Sequence, residues 1–140
     1  MAEKYLRIDP SGDVSWINID RVPYDFDPSI NGLCLDQIYA AIGCSCFEQV
    51  RTIIPGVVLL VDESGKIKIP AQAPNELASR FYLGYYHGVD YISGPAIVAA
   101  MRPTPPIGEY DLFPLLPSEL LKVELALGKK VPEIKTIMNA

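Results

Sequence analysis

The chain has 140 residues, 49% of them hydrophobic and 21% charged, which fits one globular domain with a sizeable core and excludes wholesale disorder. Its net charge of −5 argues against a protein that tracks duplex phosphates, since such binders gather Lys and Arg on one face, so no duplex nucleic acid is expected as a partner. One small anionic ligand held by two or three local cations remains compatible with that charge.

No apolar run approaches the roughly 20 residues of a membrane span, so no membrane partner is expected. The opening stretch "MAEKYLRIDPSGDV" has no apolar h-region of a signal peptide. The 3 cysteines are an odd number, and Cys44 and Cys46 stand too close for an ordinary disulfide, so a reducing cytoplasm is the expected setting.

In chain order, Tyr5 to Asp9, a turn at Pro10-Ser11-Gly12-Asp13, and Val14 to Ile19 read as a hairpin. Val22 to Gly32, with two prolines and two aspartates, reads as loop. Leu33 to Gly43 predicts a helix, because Leu35, Ile38, Tyr39 and Ile42 fall on one face and Gly43 supplies a stop. Cys46 to Ile54 reads as a strand ended by Pro55-Gly56, and the continuous apolar run Val57 to Val61 as a strand buried on both faces. Asp62 to Gly65 then turns into a second hairpin through Lys66 to Ile69.

Pro70 to Pro74 reads as loop, and Asn75 as the cap of a helix through Glu76 to Tyr82. Tyr91 to Ile92 and Ala96 to Met101 read as one strand bent at Ser93-Gly94-Pro95, with Pro103 to Gly108 breaking the chain. Ser118 is the expected cap of a helix over Glu119 to Leu127, Gly128 its stop, and Pro132 the start of a last short helix. Adjacent hairpins with helices between them predict a single α+β domain over residues 1–140: a mostly antiparallel sheet carrying two or three helices.

The segments "LDQIYAAIGCSCFEQVR", "VVLLVDESGKIK", "PNELA", "DYISGPAIVAAM" and "GEYDLFPLLPSELLKV" follow one another in that order. As an ordered set over about residues 4–127 they resemble a family of small proteins of unknown function, widespread in phages, plasmids and conjugative elements of Gram-positive bacteria. The chain departs from that pattern in its loop Val22 to Gly32, in Tyr82 to Gly88 and in the tail 128–140. The family has no established catalytic residues to carry over. What the resemblance implies is context: an accessory protein of a phage or mobile element, in the cytoplasm of a bacterial host. Small genes of that kind often counter host defence, some by sequestering nucleotide immune signals.

The stretch "SRFYLGYYHGVDYISG" holds five aromatics, the single His and three glycines. One reading packs Phe81 and Tyr91 in the core with the other tyrosines on its rim. The other makes a base-stacking site: Tyr82, Tyr85 and Tyr86 as platforms, Arg51, Lys66 and Arg80 as phosphate partners, Asn75 and His87 as polar readers. A tyrosine-rich rim also suits an oligomer interface, so a homo-oligomer is expected.

His87 has no evident acid–base partner nearby in sequence, Cys44-Ser45-Cys46 lacks zinc-knuckle spacing, and Ser64-Gly65-Lys66 lacks the first glycine of a phosphate loop. No catalytic motif, cofactor or metal is therefore expected. The expected function is that of a non-enzymatic sponge for a nucleotide-like ligand. The alternatives are an acidic inhibitor that binds a host defence protein, and a small-nucleotide hydrolase with His87 or an acidic residue as base.

Overall fold

Period-two burial and glycine stops account for most of the architecture. The computed structural model describes residues 2–23, 31–65, 72–86, 90–104 and 109–133. In chain order its elements are β1 (Ala2–Ile8), β2 (Val14–Pro23), β3 (Asn31–Leu33), α1 (Leu35–Ile42), β4 (Phe47–Arg51), β5 (Val57–Asp62), α2 (Glu76–Ser79), α3 (Leu83–Tyr86), β6 (Ala96–Thr104), β7 (Glu109–Phe113) and α4 (Pro117–Leu127). The strands form one sheet in the order β3-β2-β1-β6-β5-β4, with β7 also on β6, and every pairing is antiparallel. This is the expected α+β domain.

The sheet is buried on both faces. Leu6 and Ile8 of β1, Val57, Leu59 and Val61 of β5, and Ala96 and Val98 of β6 face a core closed by α2 and by Val123 and Leu127 of α4. Their alternate neighbours Tyr5, Val58, Leu60, Ile97 and Ala99 face a second core closed by Ile38 and Ile42 of α1. Six consecutive buried residues in β5 follow from covering both faces, as its uninterrupted apolar run predicts. Gly43 and Gly128, both at φ 74°, end α1 and α4 in the left-handed region that favours glycine.

Three departures from the sequence reading have local causes. Leu33 lies in β3, not in the first helix; Arg21, Val22 and Pro23 pair with Leu33, Gly32 and Asn31, so the expected loop begins and ends in strand. Leu116, not Ser118, caps α4, because Pro117 has the fixed φ suited to the first helical position and Glu119 accepts the Leu116 N–H at 2.8 Å. Strand β6 continues through Pro103 and pairs with β7, a strand the local pattern does not predict. The proline is tolerated because its nitrogen points to the same edge as the Met101 N–H, which donates to Gly56, beyond which no strand runs among the described residues.

A fork in the sheet matters for stability. Val98 pairs with Leu6 on one edge and Leu59 on the other. Two residues on, Ala100 pairs with Val57 on the β5 edge and Phe113 on the edge that β1 has left. Arg21 of β2 spans the gap, donating to Glu3 and Asp111, each at 2.9 Å, and to the Leu112 carbonyl, with its guanidinium 4.7 Å from the Phe113 ring centre. The expected strand at Lys66 to Ile69 and the helix from Pro132 fall wholly or mostly outside the described residues. Among the described residues no helix is long and apolar enough to cross a membrane.

Candidate functional site

The residues singled out from sequence divide into separate places. Asn75 is fully buried and caps α2: its Oδ1 accepts the Ala78 N–H at 3.0 Å, and its Nδ2 donates to the carbonyls of Ile8 and Gly94, both at 2.9 Å. Its amide is committed to the scaffold, which corrects the expectation of a ligand reader. Phe81 is buried, as the core reading expects, but Tyr91 is 44% exposed.

Tyr82 bridges to Thr52 at the end of β4, and its ring lies so close over Gly84 that a methyl group there would sit 2.6 Å from it. Its hydroxyl donates to Asp90 at 3.0 Å. Burial first, and then the bond to this carboxylate, push the Tyr82 hydroxyl up to about 12. Together with Glu48, Asp62 and Tyr91, Tyr82 lines a crevice of about 10 Å³, room for a single water and nothing larger. Small volume and carboxylate walls make this a poor place for a phosphate.

The protonated Tyr82 stabilises the fold below pH 10, and that contribution is lost as the pH rises through about 12, because the raised value belongs to the folded state. An ultraviolet titration should show a tyrosinate phase near pH 12 that Tyr82→Phe removes; an unchanged titration in that variant would refute the assignment.

Tyr85 is 52% exposed, and Tyr86 ends α3. Arg51 is exposed and, by strand alternation, leaves β4 on the face opposite Val50, away from the core that Tyr82 packs against. Lys66 and His87 lie outside the described residues, as does the side chain of Tyr86. The tyrosines and arginines of the expected site are therefore not gathered into one pocket among the described residues.

Arg80 instead turns to the far end of α4. Its Nη1 donates to the Leu127 carbonyl at 2.8 Å, and it lines a cleft of about 340 Å³ with Ser11, Gly12, Glu76, Leu77 and Lys129. Lys129 reaches across to the Gly12 carbonyl at 3.1 Å. Each cation uses one N–H on a carbonyl, and among the described residues neither is paired to a carboxylate. The negative end of the helix dipole favours two cations here. A second cleft, about 430 Å³, lies beyond the same chain segment and is lined by Trp16, Leu120, Glu124, Lys130, Val131 and Pro132.

A third cleft of about 350 Å³ at the end of α1 contains Arg7, but that side chain is paired with Asp9 at 3.3 Å and bonded to the Ala41 carbonyl at 2.9 Å. Its charge is already answered, so the cleft of Arg80 and Lys129 is the better anion site.

Sequence reasoning singled out Arg80 but neither Lys129, which lines the same cleft, nor Trp16, which lines the next one. The available signal for Lys129 was a cation directly after the glycine that stops a helix, and for Trp16 its place as the single tryptophan on a hairpin. No group of three or more His, Cys, Asp or Glu side chains suited to a metal occurs among the described residues. Cys46 donates to Glu63 at 2.8 Å, and that bond, ahead of the charge of Glu63, holds its thiol above the usual range.

Neither a curated protein nor a solved structure matches the chain. A family model described as a domain of unknown function matches residues 4–104, from β1 to the end of β6, and the chain belongs to that family, DUF3846.

Proposed function

We propose that the protein is a non-enzymatic accessory protein of a phage or other mobile element that binds and sequesters a small nucleotide-like ligand, such as a host immune signal. One observation carries the reading: Arg80 and Lys129, both without a carboxylate partner among the described residues, converge on a cleft of about 340 Å³. That volume lies within the range of small-ligand sites, and two cations answer a phosphate by charge-assisted hydrogen bonds.

A thermal-shift panel of linear and cyclic nucleotides tests it. At least one should raise the unfolding temperature, and Arg80→Ala with Lys129→Ala should weaken its binding about 10-fold to 100-fold, as expected for lost hydrogen bonds to a charged group. The bound nucleotide should be recovered intact after denaturation. A blank panel, or unchanged affinity in the double variant, would overturn the reading; turnover would overturn its non-enzymatic part.

A second reading has its own support. Glu48 and Asp90 line one crevice with the exposed Tyr91, a combination of carboxylates and tyrosine that suits a basic face of a host defence protein. A stable complex unaffected by nucleotides would favour it. A homo-oligomer belongs to the proposal too: Leu121 and Leu125, 62% and 82% exposed, stand one turn apart on α4, and light scattering on the purified protein decides whether a second copy covers them.

A further inference from the structure

The Trp16 cleft is the largest of the described clefts suited to a ligand and has the most apolar lining, yet the phosphate reading makes no use of it. Trp16 is half-buried against the main core, and its indole N–H donates to the Pro132 carbonyl at 2.6 Å. The ring orientation is thus set before any ligand arrives. Leu120, Val131 and Pro132 add apolar wall, while Glu124 holds that wall in place by accepting the Val131 N–H at 2.9 Å.

The two clefts share a partition. Gly128 and Lys129 line the phosphate cleft, and the next residues, Lys130 and Val131, line the Trp16 cleft. Consecutive lysines therefore flank one ridge of backbone, with an anion-binding cleft on one side and an aromatic, apolar cleft on the other. We propose that the Trp16 cleft is the base-binding half of the same site, stacking a purine on Trp16 while the phosphate lies across the ridge on Arg80 and Lys129. The proposal rests on the phosphate reading above and adds the ligand class, a purine nucleotide, and the residue that reads its ring. A fixed aromatic face favours this occupant, because stacking strength grows with ring area and a preset platform loses little freedom on binding. Each half joins a residue inside the span matched by the family, Trp16 or Arg80, to residues after β6 that lie beyond it.

Trp16 is the only tryptophan, so its emission reports the base cleft directly. The full chain is titrated with AMP, adenosine and ribose 5-phosphate, with calorimetry alongside. AMP and adenosine should quench Trp16, and ribose 5-phosphate should bind without quenching. Trp16→Ala should weaken AMP about 10-fold or more, as expected for a lost stacking platform. Trp16→Phe and Lys130→Glu should weaken it less, and they keep the test open where the alanine variant fails to fold. Arg80→Ala should weaken AMP while leaving adenosine quenching intact. If AMP binds in an Arg80-dependent way but emission and the Trp16→Phe affinity stay unchanged, the base subsite is wrong and the phosphate reading stands. Quenching by adenosine, with AMP affinity unchanged in Arg80→Ala, would overturn the phosphate half and leave the base subsite standing. Neither binding nor quenching by any of the three overturns both.

Discussion

Replacing Asn75 with alanine should destabilise the protein by about 3 to 7 kcal/mol, adding the loss of a helix cap, about 1 kcal/mol, to two carbonyls left without donors at about 1 to 3 kcal/mol each. The side chain is fully buried and joins three elements: it caps α2, holds the last carbonyl of β1 at Ile8, and ties down Gly94 just before β6. No water replaces the lost donors in so closed a place. In a chain of this size the unfolding midpoint should fall by about 10 °C or more. Asn75→Asp separates the parts, since it keeps the capping oxygen but turns oxygen lone pairs toward the two carbonyls. It should be no more stable than the alanine variant at neutral pH. Urea melts that place Asn75→Ala within about 1 kcal/mol of the parent would show that these bonds do not hold the fold.

Arg21→Met should cost about 2 to 3 kcal/mol, below the roughly 3 to 5 kcal/mol typical of one broken fully buried ion pair, because its partners are partly wet. The side-chain exposures of Arg21, Glu3 and Asp111 are 17%, 27% and 22%. Burial works against the Arg21 charge, but Glu3, Tyr5 and Asp111 outweigh it and hold the guanidinium above its usual range. The same clamp shapes Tyr5: burial first, and then its bond to Glu3, keep that hydroxyl protonated well above the ordinary tyrosine value. Removing Arg21 leaves two carboxylates and the Leu112 carbonyl facing the fork, with the Phe113 ring uncovered on that side.

Arg21→Lys should recover only a minor part, since an ammonium cannot bridge both carboxylates and stack on Phe113 at once. Hydrogen exchange should show β7 losing protection before β5, because among the described residues β7 pairs only with β6 and Arg21 tethers its outer side. Uniform loss across the sheet, or parental stability in Arg21→Met, would sink this account of the fork.

The local chemistry of the chain determined a good deal. The first hairpin was legible in Pro10-Ser11-Gly12-Asp13 between apolar runs, α1 in its 3.6-residue spacing before Gly43, β5 in its unbroken apolar run, and the α2 cap in Asn75. These depend on near neighbours, on turn residues and on the period of burial, all of which a one-dimensional pattern carries. Strand β7 and the continuation of β6 through Pro103 were not legible, since each exists only because β1 leaves an edge of β6 open at the fork. The candidate site divides the same way. Arg80 was visible as a cation, but its partner Leu127 and its cleft neighbours Lys129 and Gly12 are far away in sequence and met it only when α4 packed against the first hairpin. Tyr82, next but one in the chain, lies instead in the acidic crevice of Asp90. Composition and periodicity determined what kind of domain this is; which side chains share a cleft was decided by the packing of α4 and the hairpin, a contact between distant residues that no local pattern encodes.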